Sequence, residues 1–181
     1  MVRCKSSFAH CGLKTCRASQ RLAAGGAWKA DNERWSRYLA EQNQGLREVL
    51  LADNTDAIVA YASLTRISQN LSFRKAGIPE IQDLVVAETY RNAGLGTRMI
   101  RALEERARAA GHSRVGIGVG LYRDYGAAQR LYSKLGYVLD GGGVSYKNAG
   151  VEPGSLVRVD DDLVIWMVKL LQGSGCCNRA S

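Results

Sequence analysis

The residues with the most specific chemistry lie in one short stretch, Arg91-Asn92-Ala93-Gly94-Leu95-Gly96-Thr97. This stretch follows an apolar segment that ends at Val86 and precedes an amphipathic one, which predicts a strand-to-helix turn. Glycines at such a turn let backbone N–H groups approach an anion, and the helix N-terminus adds a partial positive charge. The stretch therefore predicts a pyrophosphate site.

The spacing of the glycines argues against a dinucleotide-binding turn. That fingerprint is Gly-x-Gly-x-x-Gly, but Met99 stands where a third glycine must follow Gly94 and Gly96. A second run, Gly116-Ile117-Gly118-Val119-Gly120, lies inside a predicted strand and also lacks the last glycine. The Rossmann interpretation is therefore the weaker one.

The pattern Arg-x-x-Gly-x-Gly resembles the pyrophosphate loop of the GNAT superfamily of acetyl-CoA-dependent N-acetyltransferases. A later segment, Ala128-Gln129-Arg130-Leu131-Tyr132-Ser133-Lys134-Leu135-Gly136-Tyr137, resembles that family's second motif. The resemblance covers about residues 45–171. It implies an α/β fold with a central mixed, mostly antiparallel sheet and helices on both faces. It also implies acetyl-CoA as the acetyl donor co-substrate, and no metal.

The resemblance also implies which residues contact acetyl-CoA. Backbone groups around Val86 should face the acyl and pantetheine groups, while Arg91 and the loop amides should hold the pyrophosphate. The expected cofactor-binding residues are Leu84, Val85, Val86, Arg91, Asn92, Ala93, Gly94, Leu95, Gly96 and Thr97. Tyr125 departs from the family pattern, because many relatives carry Asn at that position.

Acetyl transfer to an amine also needs a proton donor for the thiolate and a proton acceptor for the amine. Tyr132 matches the family's general-acid position, and the competing interpretation is a core aromatic on an apolar helix stripe. Glu80 is the candidate base, because counting by twos places it on the same strand face as Leu84 and Val86. A solvated strand-end carboxylate, with water as the base, remains the alternative.

The elements that must position these groups alternate between helical and strand periods, which predicts a layered α/β domain. Helices are predicted over residues 28–44, 96–110 and 125–135. Strands are predicted over 46–52, 57–64, 80–86, 114–120, 137–140 and 163–170. Residues 66–79 are expected to form a loop, and the Gly-rich stretch 141–162 a functional loop or an internal hairpin.

Length and charge indicate one domain with two appendages. The chain has 181 residues and a formal net charge of +8, and residues 1–30 hold six basic residues and no acidic one. We therefore expect a basic irregular head (1–27), an acetyltransferase domain (28–171) and a flexible tail (172–181). The family's first strand is not recognisable in the head, so either a divergent strand lies there or the sheet is incomplete at one edge.

The cysteines indicate the compartment and the reaction type. All five lie in the head or the tail, which argues against a disulfide framework and predicts a cytoplasmic protein. Because residues 17–175 contain no cysteine to carry an acyl group, we expect direct transfer in a ternary complex. No Cys-x-x-Cys spacing indicates a metal site, and no apolar run is long enough for a membrane span.

These observations predict an N-acetyltransferase that acts on a primary amine of a small molecule or a protein. The alternative is a CoA-binding sensor or partner-binding module without turnover, motivated by the unmatched first strand and by Tyr125. Nucleic acid is a disfavoured partner because the body of the chain is nearly neutral, and a homodimer is left open. The run Asp160-Asp161-Asp162 either attracts a cationic amine or is a solvated face.

Overall fold

An eight-stranded sheet forms the centre of the described part of the chain. The structure is a computed structural model, and it describes residues 8–10, 32–53 and 58–171. The strands are β1 (Phe8–His10), β2 (Arg47–Asp53), β3 (Ile58–Thr65), β4 (Glu80–Val86), β5 (Arg114–Gly120), β6 (Val138–Tyr146), β7 (Ala149–Gly150) and β8 (Leu163–Leu170). Their order across the sheet is β1-β2-β3-β4-β5-β8-β6-β7. Neighbouring strands are antiparallel except for the parallel pair β4 and β5.

Four α-helices accompany the described strands: α1 (Asn32–Asn43), α2 (Leu71–Lys75), α3 (Leu95–Ala109) and α4 (Gly126–Lys134). Two short 3-10 helices, Glu88–Tyr90 and Arg123–Tyr125, precede α3 and α4. None of the described helices combines the length and the apolarity needed to cross a bilayer.

The helices cover both faces of the sheet. Along β2, Leu50 packs into the cluster that contains α3, whereas its neighbour Val49 packs against Trp35 and Tyr38 of α1. This alternation follows from the two-residue period of a strand. The larger core cluster joins α3 and α4 to the sheet through Ile81, Met99, Ile100, Leu103, Val115, Ile117, Val119 and Tyr132.

The glycine run in β5 makes room for aromatic rings. A Cβ added to Gly116 would lie 2.1 Å from Cε2 of Phe73, and one added to Gly118 would lie 2.9 Å from Cζ3 of Trp166. The intervening residues Ile117 and Val119 point into the larger core. The run is therefore a packing feature of the strand, which agrees with rejecting it as a nucleotide-binding turn.

The fold class expected from the resemblance is confirmed: the sheet is mixed and mostly antiparallel, with helices on both faces. Three strands, 80–86, 114–120 and 163–170, have their predicted bounds. The prediction of a plain loop over 66–79 is wrong, because α2 lies within it. Strand β6 continues far beyond residue 140 and forms a hairpin with β7, which was the alternative for the Gly-rich stretch.

Strand β1 answers the question about the edge of the sheet. Phe8–His10 lies in the predicted head and pairs with residues Leu50–Ala52 of β2. This favours a divergent first strand over an incomplete sheet. The rest of the head, the start of the predicted first helix (28–31), the turn 54–57 and the tail lie outside the described residues, so the predicted domain boundaries stay a prediction.

Candidate active site

Strands β4 and β5 lie side by side at one end and separate toward the other. They pair only through Glu80↔Gly116 and Ile81↔Ile117, so the rest of β4 has no register partner on β5. Instead, β5 continues its pairing with β8 as far as Gly120↔Val164. A wedge therefore opens between the carboxyl ends of the only parallel strand pair in the described sheet, a common place for ligands in sheets with parallel strands.

A pocket of about 750 Å³ lies at this end of β4. Its walls are the end of the strand, the turn that leads into α3, and one face of α4. The volume falls within the range of about 300–1,000 Å³ typical of small-molecule sites. All of the predicted cofactor-binding residues line this pocket except Ala93, namely Leu84, Val85, Val86, Arg91, Asn92, Gly94, Leu95, Gly96 and Thr97.

The turn into α3 presents backbone amides to the pocket. Gly94 caps the helix in the left-handed conformation, with φ of 79°, and no side chain caps the first-turn N–H groups. The N–H groups of Leu95, Gly96 and Thr97 precede the first intrahelical bond, from Arg98 N to Gly94 O at 3.1 Å. Together with the positive end of the helix dipole, these amides suit an anion such as a pyrophosphate.

Arg91 brings a full positive charge to the same place. Its Nε donates to the carbonyl oxygen of Val86 at 3.1 Å, which ties the side chain to the end of β4. A guanidinium carries five N–H donors, and this bond uses one of them. The side chain is thereby held at the pocket wall with other N–H groups suited to phosphate oxygens.

Tyr132 lies on α4, with its side chain on the pocket wall and only 6% of it exposed. It also belongs to the larger core cluster, so packing in the core and contact with the pocket are compatible for this residue. Burial raises the pKa of its phenol to about 12. The phenol therefore keeps its proton at neutral pH, and its catalytic role stays a prediction.

The predicted orientation of Glu80 is wrong, because β4 contains a bulge. Ser63 pairs with Gln82 and Tyr61 pairs with Val85, so Asp83 and Leu84 together stand opposite one residue of β3. Asp83 has φ of 54°, the left-handed conformation of the first residue in one type of bulge. The bulge shifts the alternation by one residue.

As a result, Leu84 and Val86 pack on the same core cluster as Ile81, and Glu80 points to the opposite face of the sheet. Glu80 does not line the 750 Å³ pocket, although it sits where the wedge between β4 and β5 begins. Glu80 and the pocket are therefore separated by the sheet itself, except at the wedge.

The alternative of a solvated carboxylate is also wrong, since Glu80 is only 4% exposed. Burial raises the pKa of its carboxyl group above the ordinary value, while hydrogen bonds from Ser68 and Gln82 and the charge of Arg47 oppose that rise. The nearby carboxylate of Asp83 adds to the rise. A buried carboxylate with a raised pKa is a stronger base than a solvated one.

Sequence reasoning missed several residues of the pocket: Tyr90, Asp124, Ala127, Ala128 and Leu131. Tyr125 also lines it, and its hydroxyl donates to Asp161 Oδ1 at 3.0 Å, an oxygen that Tyr122 also approaches. Asp161 was predicted either to attract a cationic amine or to be a solvated charge. In the structure it accepts hydrogen bonds from two tyrosines near the pocket. In the sequence, the second motif, which begins at Ala128, was the signal for the part of the pocket that α4 forms.

Among the described residues, no three histidine, cysteine, aspartate or glutamate side chains gather in a way that could hold a metal ion. The polar groups of the pocket are amides, a guanidinium, phenols, the hydroxyl of Thr97 and the carboxyl group of Asp124. Such groups bind and orient an anionic organic ligand and move a proton.

The comparisons with known proteins agree with this geometry. The sequence profile of the acetyltransferase (GNAT) family matches residues 18–137, more than half of the chain. No curated protein matches the chain significantly. The chain belongs to the GNAT family and is an acetyl-CoA-dependent acyltransferase, which confirms the recognition made from its two motifs.

Solved structures share the fold. A GNAT family acetyltransferase from Elizabethkingia anophelis with acetyl-CoA bound is 17% identical, with a TM-score of 0.63 over 93% of this chain and 99% of that one. A GNAT family acetyltransferase from Streptococcus pneumoniae is 22% identical, with a TM-score of 0.62 over 92% and 99%. Aminoglycoside 6'-acetyltransferase type Ii is 20% identical, with a TM-score of 0.58 over 93% and 99%.

Proposed function

We propose that this GNAT acetyltransferase transfers the acetyl group of acetyl-CoA to a primary amine directly, within a ternary complex. The observation that carries the proposal is the pocket at the β4–β5 wedge, which has an amide-lined turn at one end and the Tyr132 phenol on its wall. Two of the similar structures point the same way. One of them binds acetyl-CoA, and another is named for acetylating an aminoglycoside.

In the proposed complex, the amides of Leu95 to Thr97 and the guanidinium of Arg91 hold the pyrophosphate. The space beside Gly94 suits this, because a Cβ added there would meet no protein atom within 4 Å. The pantetheine arm runs along the edge of β4 that β5 leaves unpaired beyond Ile81. Backbone N–H groups of an open strand edge can bond the pantetheine amides and polarise the thioester carbonyl.

The proposed chemistry balances one proton taken up against one proton delivered. Glu80 accepts a proton from the amine, whose nitrogen bonds to the thioester carbon. The tetrahedral intermediate then collapses, the C–S bond breaks, and Tyr132 donates a hydrogen bond and then its proton to the leaving sulfur. A free thiol has a pKa of about 8.5, so transfer from a phenol with a pKa of about 12 is uphill. Tyr132 would therefore help mainly by stabilising the charge that develops on sulfur.

The acceptor is either a small molecule or a protein amine. Direct transfer is supported by the absence of cysteine from residues 17–175, which leaves no thiol there to carry the acetyl group. A homodimer stays an open prediction, and so does the cytoplasmic location drawn from the cysteine pattern.

Release of free CoA thiol tests the proposal. Purified protein is given acetyl-CoA and a panel of primary amines that includes simple monoamines, diamines, an aminoglycoside and lysine-containing peptides. We expect thiol release above the rate of uncatalysed hydrolysis with at least one acceptor, and intersecting initial-rate lines when both substrates are varied.

Two results would contradict the proposal. Parallel initial-rate lines would indicate a covalent acetyl-enzyme and refute direct transfer. Binding of acetyl-CoA without thiol release across the panel would favour the CoA-binding module without turnover.

A further inference from the structure

We propose that Ser68 is a positioning residue, which clamps the carboxylate of Glu80 in the orientation from which it takes the proton from the amine. This inference rests on the proposed role of Glu80 as the base. It concerns a segment that the sequence indicated only as a loop. The observations that carry it are the hydrogen bonds that connect Asn70, Ser68 and the buried carboxylate of Glu80.

The direction of the hydroxyl proton follows from its two partners. The backbone N–H of Asn70 donates to Ser68 Oγ at 2.9 Å, and Ser68 Oγ lies 2.5 Å from Glu80 Oε2. Because the serine oxygen already accepts the N–H of Asn70, its own proton is directed at Oε2. Ser68 is fully buried and Glu80 nearly so, which leaves water little access to compete.

Oε2 is therefore held as an acceptor, which fixes the orientation of the carboxyl group. A base whose proton-accepting atom is fixed loses less entropy on reaching the transition state than one that rotates freely. Ser68 does not line the pocket, so it acts through Glu80.

The segment around Ser68 is built to hold this bond. The Asn70 side chain caps α2 by accepting the N–H groups of Ser72 at 2.8 Å and Phe73 at 3.0 Å. Arg74 Nε donates to the carbonyl oxygen of Ser68 at 2.9 Å. This fixes both the side chain and the main chain of Ser68.

The clamp is also attached to the strand that carries the base. The ring of Phe73 covers Gly116, and Gly116 is the register partner of Glu80 across the start of the wedge. Helix α2 is thus packed against the same point of the sheet that its preceding serine reaches by a hydrogen bond.

The charged groups around Glu80 set the direction of its titration. Arg47 from β2 favours the ionised carboxylate, Asp83 from the same strand disfavours it, and Arg74 from α2 is bonded to the main chain of Ser68. The hydrogen bonds from Gln82 and from the Ser68 hydroxyl both stabilise the ionised form. Removing that hydroxyl should therefore raise the pKa of Glu80.

The test compares pH profiles of kcat/KM for the parent, Ser68→Ala and Ser68→Thr, using saturating acetyl-CoA and the primary amine that the parent acetylates best. The same amine is used throughout, so its own ionisation cancels from the ratios. Ser68→Ala should move the acidic limb upward by about one to two pH units, the scale of one hydrogen bond to a charged group. On the acidic limb its kcat/KM should be about 10- to 100-fold below the parent's, and it should recover at higher pH. Ser68→Thr should keep the parental profile.

Ser63→Ala is the matched control. Ser63 is equally buried and bonds Arg47 and the main chain of Gln82, but it does not touch Glu80. It should lower stability without the same shift of the acidic limb. A uniform loss of activity in Ser68→Ala, with an unshifted profile, would show that Ser68 is structural only and would overturn the inference.

A second measurement needs no acceptor and covers the case in which Ser68→Thr does not fold. The carboxyl carbon of Glu80, assigned with Glu80→Gln, is titrated by 13C NMR in the parent and in Ser68→Ala. A higher pKa in Ser68→Ala supports the clamp, and an unchanged one overturns it.

The inference and the proposed function fail in different ways. No thiol release from the parent with any amine refutes the function, whatever the titration shows. Parental turnover and pH profile in Glu80→Gln would refute Glu80 as the base and with it the positioning role of Ser68, while acetyl transfer itself would stand.

Discussion

Placing a valine at Gly94 separates the cost of backbone strain from the cost of losing the anion site. Gly94 has φ of 79°, a conformation that costs an L-residue about 1–2 kcal/mol. For a chain of this size, that cost lowers Tm by about 2–8 °C. No protein atom lies within 4 Å of the added Cβ, so steric overlap within the protein adds nothing at this atom.

The affinity of Gly94→Val for acetyl-CoA should fall much further than the backbone strain alone explains. The valine side chain would stand in the pocket beside the first-turn amides of α3, where the pyrophosphate is proposed to bind. Loss of one hydrogen bond to a charged group costs about 1.5–3 kcal/mol, which weakens binding by about 10- to 150-fold. Isothermal titration with acetyl-CoA measures this change, and thermal melts without ligand measure the strain.

Gly111→Val is the matched control for this prediction. Gly111 has φ of 86°, also has no atom within 4 Å of an added Cβ, and lies beyond the other end of α3, away from the pocket. It should show a similar fall in Tm with parental affinity for acetyl-CoA. If Gly94→Val bound acetyl-CoA as tightly as Gly111→Val does, the pyrophosphate would not lie against this turn.

Three further substitutions test other parts of the site. Tyr132→Phe should leave the Kd of acetyl-CoA nearly unchanged and lower kcat about 10²-fold, and an unchanged kcat would make the residue part of the core only. Glu80→Gln should raise Tm at pH 7.5 but not at pH 4. The pKa of Glu80 is raised in the folded state, so its ionisation above the ordinary value of 4.5 favours unfolding, and a gain that persists at pH 4 would contradict this sign. Gly116→Ala should destabilise the fold by about 1–3 kcal/mol, because its Cβ would lie 2.1 Å from the Phe73 ring. Thermal melts would show this loss, and Gly150→Ala, which meets nothing within 4 Å, should not share it.

The parts of the site that follow local rules could be predicted from the sequence. The glycine that caps α3 needs a positive φ. A short glycine-containing turn between an apolar segment and an amphipathic one can be recognised in the sequence. The sequence also predicts an apolar stripe on α3, of which Met99, Ile100, Leu103 and Ala107 are fully buried, whereas Ala110 lies just past the helix end and is exposed. Local conformational preference and side-chain period were sufficient for these elements.

The parts that depend on pairing between distant strands could not be predicted. Counting by twos along β4 fails after Gln82, because the bulge at Asp83 exists only in the register with β3. Asp83 is not a glycine, so no residue type marks the position. The five residues of α2 are too few for a helical period to show, and the Asn70 cap and the contact of Phe73 with Gly116 define the helix instead.

The bulge has a consequence for how the proposed reaction is arranged. Because it reverses the alternation between Ile81 and Leu84, the strand presents Glu80 to the α1 and α2 side while its later residues line the pocket on the α3 and α4 side. Tyr132 belongs to that second side. A thioester lying in the wedge would then have the proposed base on one face of the sheet and the proposed acid on the other. The amine would approach from the first face and the thiolate would leave along the second, so the two proton transfers need not compete for the same space. Such a separation suits direct transfer, in which both substrates must be bound at once.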